Sequence, residues 1–168
     1  YFKPYACCRW LHSAINAVME IKNDHNLILK EINTIEINIF SRAIDLIGNK
    51  YPQNSVQAQF HLPYCIAVSL LDGEVTPKQF IPSYLTNNSI LKIIDKIVVK
   101  SDEAYTELFP DKLPSQVKII TIRDEQFSAE IISAPWDANN QPSDESLYQK
   151  LISQAGDEGI RLWNYLFS

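Results

Sequence analysis

Glycine is scarce in this chain, with four residues in 168, and no GxGxxG or GKS/GKT run can be assembled from them. A dinucleotide fingerprint and a phosphate-binding loop therefore have no sequence basis. Cysteine is rarer still. Cys7, Cys8 and Cys65 are odd in number and lack CxxC or His-paired spacing, which argues against a disulfide framework or a structural zinc site and points to reduced thiols. The 15 Lys and Arg residues are interspersed among 20 Asp and Glu residues, for a net charge of -5. With no basic block, neither nucleic acid nor a polybasic membrane contact is expected as a partner. No apolar run reaches the ~18–20 residues that span a bilayer, and no basic segment followed by an apolar one marks a signal peptide. An acidic cytoplasmic protein without a membrane partner is the expectation.

The length and a hydrophobic content of 46% suit one domain, 1–168, with a single core. The chain opens on Tyr1 rather than Met, with a conspicuous motif starting three residues in, and it reads as a piece cut from a longer one. Helical spacing of Leu11, Ile15, Val18 and Met19 predicts a helix from about His12 to Asn23. Ile35, Ile37 and Ile39 alternate with Glu36 and Asn38, the pattern of a half-buried strand. A short helix is expected from Ser41 to Ile47 and a loop from Tyr51 to Gln59. From Pro63 to Gly73 a helix is apolar on nearly all sides and so belongs in the core. Thr76 to Tyr84 should be irregular, Ser89 to Lys96 helical, and Ile97 to Lys100 a short strand. After a loop from Ala104 to Ser115, Val117 to Ile122 and Phe127 to Ile132 form a hairpin. Ser143 caps a last helix that Gly156 ends, before a segment joining Ile160, Trp163 and Phe167. This order predicts an α+β fold, a two-layer sandwich of helices on a mostly antiparallel sheet of about four strands.

Two stretches could carry chemistry. The first runs from Lys3 to His12 and packs Lys3, Arg9, His12 and two thiols into ten residues at a helix start. Free N–H groups and the helix dipole would add to those cations in gathering an anion such as a di- or tricarboxylate. The plainer alternative has the cations in solvent and the thiols as core fillers. The second stretch runs from Ala58 to Gly73, where Tyr64 could donate a hydrogen bond to a carboxylate and His61 stands just before it. Core packing with a satisfied phenol is the alternative there. Neither stretch contains a metal-ligand array, a GxSxG elbow or a Cys/His/Asn order.

In this order the two stretches resemble the paired signatures of the MmgE/PrpD family. Lys3, Tyr5, Cys8, Arg9, His12, Ile15 and Ala17 fit its K-x-Y-P-x-C-R-x-x-H-x-x-I-D-A-like segment. Ala58, Phe60, Leu62, Pro63, Tyr64, Ala67, Leu71, Asp72 and Gly73 fit its A-x-F-S-L-P-Y-x-V-A-x-A-L-x-D-G-like segment. The likeness continues more loosely over Ser89 to Asp102. Ala6 stands where Pro is usual, Asn16 where Asp is usual, His61 where Ser is common, and Asn88-Ser89 where an Asp usually opens the helix.

The resemblance implies the smaller, C-terminal lid domain of a two-domain enzyme whose N-terminal helical domain is absent here. Family members such as 2-methylcitrate dehydratase, cis-aconitate decarboxylase and iminodisuccinate epimerase act on small polycarboxylates without metal or other cofactor. All three move a proton beside a carboxylate, which requires an acid or base next to groups that clamp negative charge. By this likeness Lys3 and Tyr64 are the catalytic candidates, and Arg9, His12 and His61 the substrate-binding ones. The parent enzyme would be a homodimer and a lyase, most closely of the 2-methylcitrate dehydratase type, with this piece inactive alone. A non-catalytic binding module that kept the fold is the alternative.

Overall fold

A computed structural model describes residues 2–167. They form two compact units, one spanning Tyr5–Ala134 and the other joining residues 2–4 to 135–167.

The larger unit opens with a 3-10 turn, Arg9–Leu11, that runs into α1, His12–Asp24. Its core-facing residues Ala14, Ile15, Ala17, Val18 and Ile21 are buried, as the spacing predicts. β1, Ile32–Ile39, buries Ile35, Ile37 and Ile39 and leaves Glu36 and Asn38 half-buried. Four helices, α2 (Ser41–Ile44), α3 (Ser55–Phe60), α4 (Leu62–Asp72) and α5 (Pro82–Leu85), precede α6, Asn88–Ile94, which leads into β2, Ile97–Ser101. α7, Glu103–Leu108, then precedes β3, Ser115–Thr121, and β4, Gln126–Ile131.

The strands lie in the order β2-β1-β3-β4. β1 pairs antiparallel with β3, and β3 with β4, whereas β1 and β2 run parallel. The α+β class, the four strands and the mostly antiparallel pairing stand as expected, with one parallel pair, β1 and β2. The parallel pair follows from connectivity: two parallel neighbours need a long crossover, and here it holds α2 to α6. Register puts Ile35 opposite Ile97 and Ile119, and Ile37 opposite Val99 and Val117. One apolar face results, covered at β3 and β4 by α1, which in turn packs on α4.

α4 is buried from Leu62 to Leu70. Gly73 ends it at φ 76°, a left-handed conformation that only glycine takes at no steric cost. From α1, the Lys22 ammonium donates to the buried Leu70 carbonyl at 2.7 Å. Burial lowers the Lys22 pKa.

Three segments read as loop or irregular contain helices. Asn54 caps α3 by accepting from the Gln57 N–H, and Asp102 caps α7 by accepting from the Tyr105 N–H. Thr76 and Gln79 close a capping box around the 3-10 turn Pro77–Phe80. Each is a polar side chain three residues ahead of its partner, a local signal that apolar periodicity does not register.

In the smaller unit α8, Asp144–Phe167, is interrupted at Gly156, which sits at φ 55°. Ser143 accepts from the Ser146 N–H at 3.2 Å, the cap the sequence predicts. Beyond the break Trp163 stacks near Phe167 and Tyr148, with centroids 4.3 and 5.3 Å away. A Cβ on Gly159 would come within 2.8 Å of the Leu151 carbonyl, so the two halves meet where no side chain fits.

The sheet faces make a simple contrast. Ile37→Ala, at a fully buried position, should cost about 2–5 kcal/mol in urea unfolding. Val98→Ala, on the opposite face and 43% exposed, should stay within about 0.5 kcal/mol.

Candidate functional site

The two stretches singled out in the sequence meet along one seam of the larger unit. The Cys8 N–H donates to the Gln59 carbonyl at 2.8 Å, and the Ala6 N–H to the Val75 carbonyl at 2.9 Å. Cys65, in α4, donates its thiol to the Ala58 carbonyl at 3.4 Å. Burial pushes the Cys65 thiol well above its ordinary pKa. A buried neutral thiol of this kind is a packing group, not a nucleophile.

His12 opens α1 and is buried. Its Nε2 lies 3.4 Å from the Cys7 carbonyl, which can only accept, so that nitrogen carries the proton. Tyr5 meets the His12 ring edge-on at 5.3 Å, and its hydroxyl donates to Asn16 Oδ1 at 3.3 Å. Asn16 passes a further bond to Glu20 at 2.9 Å. Burial raises the Tyr5 pKa to about 12, so its phenol stays a neutral donor. Arg9 heads the 3-10 turn and is half-buried.

His61 is the N-cap of α4. Its Nδ1 accepts from the Tyr64 N–H at 3.0 Å, and its Nε2 donates to the Asn49 carbonyl at 2.9 Å. Those two bonds fix the neutral tautomer and use both nitrogens, so His61 can meet a ligand only by giving one of them up. It also lines a cavity of about 300 Å3 with Leu46, Ile47, Tyr51 and Phe60. No Lys or Arg lines that cavity, which suits a polycarboxylate poorly.

Tyr64 is fully buried, and its hydroxyl donates to the Gln79 carbonyl. Burial raises its pKa. Gln79, which the sequence reading passed over, is a buried polar hub. Its amide donates to Asp72 and Glu74, each at 3.0 Å, while its oxygen accepts from the Thr76 N–H and hydroxyl, each at 2.8 Å. The Thr76-x-x-Gln79 spacing of a capping box was the available signal.

Lys3 lies in the smaller unit, exposed, and its carbonyl accepts from Lys150. Thus His12 and Arg9 share one turn, His61 and Tyr64 share one helix start, and these four lie in the unit that does not contain Lys3. Among the described residues, no group of three or more His, Cys, Asp or Glu could hold a metal ion. No helix among them is long and apolar enough to cross a membrane.

Fold and seam together define an α+β domain in which a helix-start motif is bonded to a buried-helix motif. A family model described as the MmgE/PrpD C-terminal domain matches residues 5–157. The chain belongs to that family. No curated protein matches the chain.

Two outcomes follow from these bonds. Tyr64→Phe leaves the buried Gln79 carbonyl without its donor and should cost about 1–3 kcal/mol in thermal or urea unfolding. Burial lowers the His61 pKa below its ordinary 6.5. As pH falls the unfolded chain takes up that proton first, so the stability from the neutral cap is complete above about 6.5 and is lost as pH falls through the lowered folded value. Between about pH 7.5 and pH 5 the native chain should lose more stability than His61→Asn, which keeps a capping oxygen that does not titrate. Equal losses in the two proteins would show that this cap does not titrate in that window.

Proposed function

We infer that this chain is the substrate-closing C-terminal domain of a cofactor-independent enzyme acting on a small di- or tricarboxylate. A 2-methylcitrate dehydratase-like lyase fits best, with cis-aconitate decarboxylation or epimerisation as sister chemistries. What carries the reading is the family match over residues 5–157, which covers most of the first motif and all of the second. The contact between Cys8 and Gln59 supports it by making one structural piece of the two motifs. In this reading Lys3, just ahead of the matched span, binds a substrate carboxylate or moves a proton beside it. Arg9 and His12 support the local charge, and Tyr64 supplies a hydrogen bond if its hydroxyl leaves the Gln79 carbonyl. The remaining acid and base groups come from an N-terminal helical domain, in a cytoplasmic homodimer, and this domain alone is inactive.

A specific observation favours a second reading, a binding module that kept the fold without the chemistry. Tyr64 and His61 are both buried and spend their polar atoms on the fold itself.

The full-length protein decides between them. Incubated with methylcitrate, cis-aconitate and iminodisuccinate and followed by NMR, it should convert one of the three. Lys3→Ala should then lower kcat/KM by about 100-fold, the scale of losing one charge-stabilising group. Native turnover in Lys3→Ala would remove Lys3 from the mechanism, and no conversion of any of the three would favour the binding module.

A further inference from the structure

Lys3 is an exposed side chain on a backbone that is held in place from the far end of the sequence. The Lys150 ammonium, half-buried on α8, donates to the carbonyls of Lys3 and of Pro4, the latter at 3.2 Å. The same ammonium lies 5.6 Å from the centre of the Trp136 ring, within cation–π range. The Trp136 carbonyl in turn accepts from the Phe2 N–H at 3.3 Å. Trp136 sits at φ 62°, a conformation uncommon for any non-glycine residue and a marked outlier for a bulky one. Such a conformation persists only where the surroundings over-determine it, and it concentrates at functional sites. Here one ammonium and one backbone carbonyl hold residues 2–4.

We propose that Lys150, seated on Trp136, is a positioning residue that fixes the Lys3 main chain so that the Lys3 ammonium is presented in one place. The chemistry of the grip explains the choice of residue. An ammonium offers three donors and no acceptor, so it can bind two neighbouring carbonyls at once while its charge rests on an aromatic face. A neutral side chain of the same length would place no charge on the aromatic face. Both bonds from Lys150 go to main-chain carbonyls, so the grip acts on the Lys3 backbone. The inference rests on the role given to Lys3 above, because a fixed Lys3 matters only if Lys3 meets the substrate.

The test is a double-mutant cycle in the full-length protein on whichever of the three polycarboxylates it converts. Lys150→Met should lower turnover by about 10-fold or more, since small misplacements of a charge-bearing group carry losses of that order. Lys150→Arg, which keeps charge and donors, should restore most of it. In a Lys3→Ala background Lys150→Met should cost nothing further, because its effect passes through Lys3. If Lys150→Met keeps native turnover, or loses the same factor with and without Lys3, the proposal is overturned.

Hydrogen exchange of the peptide covering residues 2–4 tests the grip without any substrate. It should speed up about 10-fold or more in Lys150→Met and stay slow in Lys150→Arg. Unchanged exchange in Lys150→Met overturns the proposal even if the function assigned above is right. Faster exchange together with a silent Lys3→Ala keeps the grip but removes its catalytic purpose, which separates the failure of the earlier reading from the failure of the grip. If Lys150→Met does not fold, Trp136→Asn replaces it. Asparagine tolerates the left-handed conformation better than most residues, so this variant removes the aromatic seat while keeping a side chain at 136. It should reproduce the faster exchange, and unchanged exchange overturns the proposal.

Discussion

Helix α4 is surrounded by protein from Leu62 to Leu70, and a helix without water must find other partners for the N–H groups of its first turn and the carbonyls of its last. Much of the larger unit can be understood as the answer. His61 accepts a first-turn N–H, Pro63 removes another donor, Lys22 reaches across from α1 to the final carbonyls, and Gly73 turns the chain away. Hydrogen bonds from Cys8 to Gln59 and from Ala6 to Val75 tie the first stretch to segments on either side of α4 in sequence. Because α1 covers the apolar sheet face and packs in turn on α4, satisfying these ends is a condition for the core to form as it does.

That condition recasts the second motif. Leu62, Pro63, Tyr64, Ala67, Asp72 and Gly73 match a family signature, yet five of the six either fill the core or shape an end of α4. Asp72 joins the network around Gln79, which holds the segment after α4 against the Tyr64 hydroxyl. A residue pattern that identifies a family can therefore be mostly a description of how a buried helix is terminated. His61 illustrates the point, since where the family commonly has Ser this chain has another side chain able to accept a first-turn N–H.

Periodicity revealed the long elements, because α1, β1, α4 and the hairpin each bury one face or all faces and so write their period into the sequence. It could not reveal α3, α7 or the turn at Pro77, whose few apolar residues set no period and whose starts depend on Asn54, Asp102 and Thr76. Nor could it reveal the parallel pairing of β1 and β2, which depends on where a long crossover returns. The candidate site was legible to the same degree. Residue types at Lys3, Arg9, His12, His61 and Tyr64 suggested chemistry, but burial and competing partners are tertiary facts. Only the fold discloses that the Tyr64 hydroxyl is already engaged, or that Lys150 and Trp136, at the other end of the chain, grip the Lys3 backbone.

Electrostatics sets how the work could be shared. A di- or tricarboxylate must exchange its hydration for fixed positive charge and donors before a proton beside a carboxylate can be moved. At the seam the imidazole of His61 is held neutral by the cap it provides, the Tyr5 and Tyr64 phenols are neutral donors, and Arg9 is the cation of the helix-start turn. One guanidinium does not balance such a ligand. The reading of this domain as half of a pocket thus requires a second domain to add more positive charge. A lysine side chain has four flexible torsions and loses much of its value as a charge clamp when its base also moves, so under the proposed role for Lys3 a cation seated on Trp136 that holds the main chain would improve its placement.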